Sequence, residues 1–310
     1  MREKNLIFIF VDGLGLGSAS ETNPLSVFPM KRLKALTGTE FVTPLAKSTL
    51  HDFLLLPIDA GLDVAGAGQS GTGQFSIYTG INGAERFGRH FGPHLPSSLK
   101  PLLSEFNPFT CLNELGLKTI YLNAYPNIFI ETCLKLRQIG KIRSSVLFEA
   151  AALAGQAFFS VPELKAGRAV SGDITGAWWK KNLEHGNPEI EEISPEEAAR
   201  NAMNCAKDGT AVFFEFFLPD LAGHARVKLP SSEIIRRLEG FLCEIISQID
   251  PRHTLLVLTS DHGNFEDLST EQHTLNPVPL LVYGNESDSF RSVHAIHQLF
   301  PKVMQWLSEK

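Results

Sequence analysis

Leu6–Val11 (LIFIFV) is an unbroken apolar run, closed by Asp12-Gly13. A run with no polar alternation fits a parallel strand covered on both faces. Comparable runs occupy Thr119–Leu122, Val212–Phe217, Leu255–Leu258 and Val278–Val282. Helical spacing lies between several of them. Ser194-Pro195-Glu196-Glu197 reads as a helix start, with Ser194 as N-cap, Pro195 in the first turn and Glu197 completing a capping box. Ser232–Ile249 carries apolar residues at helical intervals, and a further helix is expected after Ser70. Strands alternating with helices predict an α/β fold with a mostly parallel sheet flanked by helices.

Ligands of such sheets bind at the carboxyl ends of the strands. Asp12 closes the first run, Asp220 follows the Val212–Phe217 run, and Asp261-His262 follows Leu255–Leu258. All are expected at one edge of the sheet.

Residues 126–193 are less regular. They hold Lys135, Arg137, Lys141 and Arg143, the pair Trp178-Trp179, and a break at His185-Gly186-Asn187-Pro188. The expected division is a catalytic core from 1–125 and 194–310, with 126–193 as a small inserted cap. The basic stretch there reads first as an exposed face, and Trp178-Trp179 as packing residues or the lining of a cap pocket.

Composition changes little. A hydrophobic fraction of 43% and a charged fraction of 20% are ordinary for a globular chain. A net charge of −6 argues against general nucleic-acid binding, though not against an anionic substrate, because bound cations reverse the local sign. Cys111, Cys133, Cys205 and Cys243 form no CxxC pair and read as reduced thiols. The first apolar run is too short for a signal-peptide core or a membrane span, so the expectation is a cytoplasmic protein with no membrane partner.

Chemistry enters with the spacing of carboxylates and imidazoles. Asp220 and His224 stand four positions apart, Asp261 and His262 are adjacent, and His273 follows. Oxygen and imidazole donors without thiolate suit zinc, manganese or a related divalent ion. With Asp12 they are numerous enough for two sites, and paired metals serve phosphoryl transfer. Any one of them alone is as easily a turn former or a surface residue. The segment Gly66–Gly80 places glycines on both sides of Ser70, which permits a tight turn presenting its hydroxyl at a helix N-terminus. A flexible loop is the bland alternative. A phosphate-binding P-loop is a further alternative, but its Gly-Lys-Ser/Thr ending is missing.

Asp261-His-Gly-Asn-Phe-Glu266, followed by His273-Thr-Leu-Asn-Pro-Val-Pro279, resembles the DHGN-x-E and HT-x-NPVP signature of mutases in the alkaline phosphatase superfamily. The nearest branch is that of cofactor-independent phosphoglycerate mutase and phosphopentomutase. Gly68-Gln-Ser70-Gly-Thr-Gly-Gln74 is similar to its nucleophile segment GNSEVGH, with Gly71 in place of Glu and Gln74 in place of His. The likeness covers about residues 5–90 and 205–285. It implies an alkaline-phosphatase-like core holding two divalent ions, zinc or manganese. Asp220, His224 and His273 would hold one. Asp12, Asp261, His262 and the Ser70 hydroxyl would hold the other. It also implies Ser70 as nucleophile, with Thr72 as the nearest rival hydroxyl.

Arg86, Arg89 and His90, with neighbouring His94, are candidates for substrate phosphate, as is Arg226; Asn264 and Glu266 are candidates for orienting the ligands. The leading expectation is hydrolysis of a small-molecule phosphate ester through a phosphoseryl intermediate. The alternatives are a phosphomutase, a phosphodiesterase or phosphonate hydrolase, and a non-catalytic metal-binding relative. The arginines with which the long phosphoglycerate mutases hold their substrate have no counterpart that can be mapped here.

Overall fold

The computed structural model describes residues 4–182 and 190–309. Among the described residues six strands form one sheet, in the spatial order Phe53–Ile58, Val278–Tyr283, Thr254–Thr259, Asn5–Val11, Thr210–Phe216 and Lys118–Tyr121. They are β1 (Asn5–Val11), β2 (Phe53–Ile58), β3 (Lys118–Tyr121), β6 (Thr210–Phe216), β7 (Thr254–Thr259) and β8 (Val278–Tyr283). A two-stranded ladder pairs β4 (Asn123–Ala124) with β5 (Val170–Ser171). Strands β3, β6, β1 and β7 run parallel, and only β8 is reversed, pairing antiparallel with both β7 and β2.

The apolar runs become strands because both faces of the sheet are covered. Leu6, Phe8 and Phe10 of β1 enter one core, shared with Phe75 and Tyr78 of the helix Ser70–Thr79 and with the C-terminal helix Leu299–Ser308. Ile7, Ile9 and Val11 enter the other, shared with the helices Pro195–Cys205 and Ser231–Gln248. Alternation of side chains along the strand therefore separates two equally apolar layers. At about 1.5–3 kcal/mol for each fully buried large side chain, these layers supply the main stabilising term.

Ser194 caps the helix Pro195–Cys205 by accepting from the Glu197 amide at 3.1 Å. The helix read from Ser232 begins one residue earlier, at Ser231. Strand β2 was not among the expected runs. It contains Pro57 and lies at the sheet edge, where a missing amide donor is tolerated.

Within 126–193, the helix Val146–Leu153 buries Val146, Leu147 and Phe148 in the same core as the Ser70 helix. Its Glu149 is buried and paired with Lys100 at 2.8 Å and Arg137 at 2.9 Å. Arg137 of the basic stretch is thus an internal partner, whereas Lys135 and Lys141 are exposed. Trp179 joins a separate small cluster with Ala124, Ala169 and Ile190. The break at 185–188 lies outside the described residues. All four cysteines are free thiols. Among the described residues no helix is long and apolar enough to cross a membrane.

Candidate metal centre

The register of the sheet sets the site. Val11 pairs with Phe216, and Phe10 with Thr259, so Asp12, the turn into Asp220 and Asp261-His262 leave the sheet at one edge. Asp220 sits in the short helix Leu218–Gly223, which begins two residues past the end of β6. His273 arrives on a loop held to the Asp261 segment by the Thr274 amide donating to the Gly263 carbonyl at 3.0 Å.

Two triangles of donor atoms result. His224 Nε2 lies 3.0 Å from His273 Nε2 and 3.3 Å from Asp220 Oδ1, and His273 Nε2 lies 3.6 Å from the same Oδ1. His262 Nε2 lies 3.6 Å from Asp12 Oδ1, 3.5 Å from Asp261 Oδ1 and 3.1 Å from Ser70 Oγ. Donor atoms about 2.0–2.2 Å from a tetrahedral zinc stand about 3.3 Å from one another. The first set is of that size on all three sides, and in the second His262 Nε2 stands at about that distance from each of its three partners. The two sets adjoin, since the rings of His262 and His273 stack at 3.6 Å.

The surroundings fix which atoms face inward. His224 Nδ1 donates to the Glu271 carbonyl at 2.7 Å, and His273 Nδ1 to the Gly68 carbonyl at 2.7 Å, which leaves each Nε2 as the lone-pair donor. Asn264 Nδ2 donates to Asp220 Oδ1 at 2.9 Å. Gln74 Nε2 donates to Asp261 Oδ2 at 3.2 Å while its Oε1 accepts from the Val146 amide. Asp12 Oδ1 and Asp261 Oδ1 are buried without a hydrogen-bond partner among the described residues. Orphaned carboxylate oxygens aimed at imidazole lone pairs fit a cation.

The electrostatics point the same way. Loss of hydration, then the charge of Asp220, pushes the Asp261 carboxyl up to about 7. Asp12 is raised well above the usual carboxylate range by loss of hydration, then by Asp261 and Asp220. Burial, then nearby His273, lowers His262 to about 3, so its ring is neutral at physiological pH and ready to bind metal. Carboxyl groups so crowded that they hold their protons lack a compensating positive charge from the chain, and a bound cation would let them ionise.

Ser70 is the first residue of its helix, with its hydroxyl beside His262. The neighbouring glycines act by close approach rather than by a special turn. A Cβ on Gly71 would stand 2.1 Å from the His94 carbonyl oxygen, and one on Gly73 would stand 2.8 Å from Asp261 Cβ. The Thr72 hydroxyl faces away, within reach of the Gln69 and Phe91 carbonyls. Glu266 binds the loops together: its carboxylate accepts from the amides of Gly15 and Asn264, the Thr274 hydroxyl and the Asn276 amide group.

A cavity of about 450 Å³ opens beside Asp12, Ser70 and Asp220, and Arg226 lines it. Arg86, Arg89 and His90 are not among its lining residues. Arg86 and Arg89 are exposed, Arg89 lies over the Phe87 and Phe91 rings, and His90 Nε2 bonds the Val64 carbonyl at 3.1 Å. His94, Arg143 and Glu215 do line it. Glu215 had no place in the sequence reading. Its signal was a single acidic residue inside the apolar strand Thr210–Phe216.

Residues 182–307 match the Metalloenzyme superfamily. The 2,3-bisphosphoglycerate-independent phosphoglycerate mutase of Staphylococcus aureus is 26% identical over 127 residues, which is 39% of this chain and 25% of that protein. Its counterpart in Staphylococcus haemolyticus is 27% identical over 103 residues, 31% of this chain and 20% of that protein. The match thus spans about a quarter or less of these curated relatives. Among solved structures, the PH0037 protein of Pyrococcus horikoshii aligns over 100% of this chain and 99% of its own, with TM-score 0.57 and 15% identity. A cold-active alkaline phosphatase from Shewanella sp. aligns over 98% and 100%, with TM-score 0.54 and 11% identity. The alkaline phosphatase of the Antarctic bacterium TAB5 aligns over 99% and 99%, with TM-score 0.50 and 13% identity. The chain therefore has an alkaline-phosphatase-like fold along its length, and its residues 182–307 are similar in sequence to the Metalloenzyme superfamily.

Proposed function

We propose that the protein hydrolyses a small-molecule phosphate ester at a two-metal centre, with Ser70 as the nucleophile. The observation that carries this reading is the pair of adjoining donor sets, with separations from 3.0 to 3.6 Å, the second of which includes the Ser70 hydroxyl. Asp220, His224 and His273 would hold one divalent ion, zinc or manganese. Asp12, Asp261, His262 and Ser70 would hold the other. Bound there, such ions supply positive charge that acidifies a hydroxyl and stabilises a leaving oxygen.

The chain's own residues do the rest. Gln74 and Asn264 hold Asp261 and Asp220 in their orientations. The helix of Ser70 aims its positive end toward the phosphate. Ser70 Oγ attacks phosphorus and the alcohol leaves; water then attacks the phosphoserine, releasing inorganic phosphate and restoring the hydroxyl. Tyr125, Phe129, Trp178 and Trp179, which line the cavity beside Ser70, serve in this reading as the roof over the organic part of the substrate.

The sequence likeness to phosphoglycerate mutases favours a second reading, in which a hydroxyl of the substrate takes the phosphoryl group in place of water. The test is p-nitrophenol release from p-nitrophenyl phosphate by metal-stripped protein re-supplied separately with manganese and zinc. Metal-dependent turnover that Ser70→Ala abolishes is the expected result. Absence of turnover with both metals contradicts the hydrolase reading.

A further inference from the structure

The cavity beside Ser70 has a character that the phosphate chemistry does not require. Its volume is about 450 Å³, in the range of small-molecule sites. Tyr125, Phe129 and Phe148 line it and pack on one another, with ring centroids 5.0–5.8 Å apart. Trp178 and Phe217 line it too, edge to face at 6.4 Å. Its arginines, Arg143 and Arg226, are both exposed to solvent. Aromatic faces arranged around such a space suit a flat apolar group that can stack on them.

Among the buried polar groups that line this cavity, Glu215 is distinctive. Glu215 is 3% exposed. Its Oε2 accepts from the hydroxyls of Tyr121, Tyr125 and Ser145, the last at 2.8 Å. Its Oε1 is buried and has no hydrogen-bond partner among the described residues. Burial pushes this carboxyl up to about 7, and once ionised it has one oxygen saturated and the other free, an acceptor that is costly to leave unmet.

We propose that this cavity receives the organic part of the phosphate ester as a flat aromatic group carrying a hydrogen-bond donor, which Glu215 Oε1 accepts. The proposal rests on the reading that Ser70 takes the phosphoryl group, and it names the substrate class of that site. A small aliphatic phosphate leaves both the aromatic walls and the Glu215 oxygen unmet.

The experiment is calorimetric binding to metal-loaded Ser70→Ala protein, using phosphates of primary alcohols. The probes are 2-hydroxyethyl phosphate, 2-naphthylmethyl phosphate, and the latter with a 6-hydroxy or a 6-methoxy group. The naphthyl compounds are expected to bind about tenfold or more tighter than the hydroxyethyl compound, given the apolar area they bury. The 6-hydroxy compound is expected to bind about fivefold tighter than the 6-methoxy one, which cannot donate. Glu215→Gln, whose amide can itself donate, is expected to erase that preference while metal content stays unchanged. Equal binding of hydroxyethyl and naphthylmethyl phosphates overturns the aromatic subsite. Loss of metal in Glu215→Gln overturns the donor role, because Oε1 then serves a cation. The readout is binding, so it answers the question whether or not the wild type releases phosphate.

Discussion

Asp261 and His262 are adjacent residues that titrate in opposite senses, and this sets the pH behaviour of the metal-free chain. Asp261 is raised to about 7, so the folded chain keeps a proton that the unfolded chain releases. That contribution to stability is present at low pH and is lost as pH rises through 7. His262 is lowered to about 3, so its cost falls on the acid side and disappears above the unfolded histidine value near 6.5. Between about pH 4 and 6.5 the two oppose each other. Above that window the carboxyl alone acts, joined by Asp12, which is also raised. The melting temperature of metal-stripped protein is therefore expected to fall as pH rises above about 6.5, and the fall is expected to vanish with bound metal. Melting curves from pH 5 to 9, with chelator and with manganese, check this; a fall of equal size in both contradicts it.

Glu266 permits a second test at this scale. Its carboxylate meets donors from three loops, and it is 2% exposed. Glu266→Ala leaves several buried donors unmet and is expected to cost about 3 kcal/mol, with weaker metal binding. Chemical denaturation with and without metal measures both effects. Asp12, Asp220 and Asp261-His262 stood out in the sequence because each follows a strand end, and Ser70 and His273 because of the motifs around them. Glu215 did not stand out, because its neighbours made the strand read as core. An acidic residue in a fully covered strand is itself a signal, since such a residue is seldom buried without a partner.

At the scale of elements, the Ser70 helix is positioned by what its glycines lack. Gly73→Ala places a methyl group 2.8 Å from Asp261 Cβ, against a side chain that is buried and fixed. The helix start must shift, carrying Ser70 with it. Activity is expected to fall by about a hundredfold or more, as with misplacement of other catalytic groups by about 1 Å, while the melting temperature changes little. Turnover and thermal unfolding of Gly73→Ala give the comparison; full activity contradicts the packing account. The parallel strands were legible because both faces are buried, which turns alternation into a continuous apolar run. Strand β2 escaped notice because Pro57 and its edge position make it read as a break. The glycines were visible as a motif, but their purpose was not. Close approach to His94 and Asp261 is a tertiary fact that local sequence does not encode.

Across the whole molecule, the residues around the cavity are tied to the core by buried charge. Arg237 on the helix Ser231–Gln248 pairs with Asp173 at 2.8 Å, and the two side chains are 4% and 1% exposed. Asp173 in turn accepts from the amides of Gly176 and Trp178 and so sets the Trp178 side of the cavity. Arg237→Met strands the Asp173 charge and is expected to cost about 3–5 kcal/mol. The division into core and cap was harder to read in the sequence than the sheet. The helix Val146–Leu153 lies inside the expected cap but packs in the same core as the Ser70 helix. An apolar helix carries no mark of which core it will join.

The measurement that bears most directly on the central claim is metal stoichiometry, by elemental analysis of protein dialysed after loading with zinc or manganese. About two divalent ions per chain are expected, falling to about one in His224→Ala and about one in His262→Ala, with each variant still folded. No retained metal in the wild type, or a stoichiometry that neither substitution changes, contradicts a centre built from these two sets of ligands.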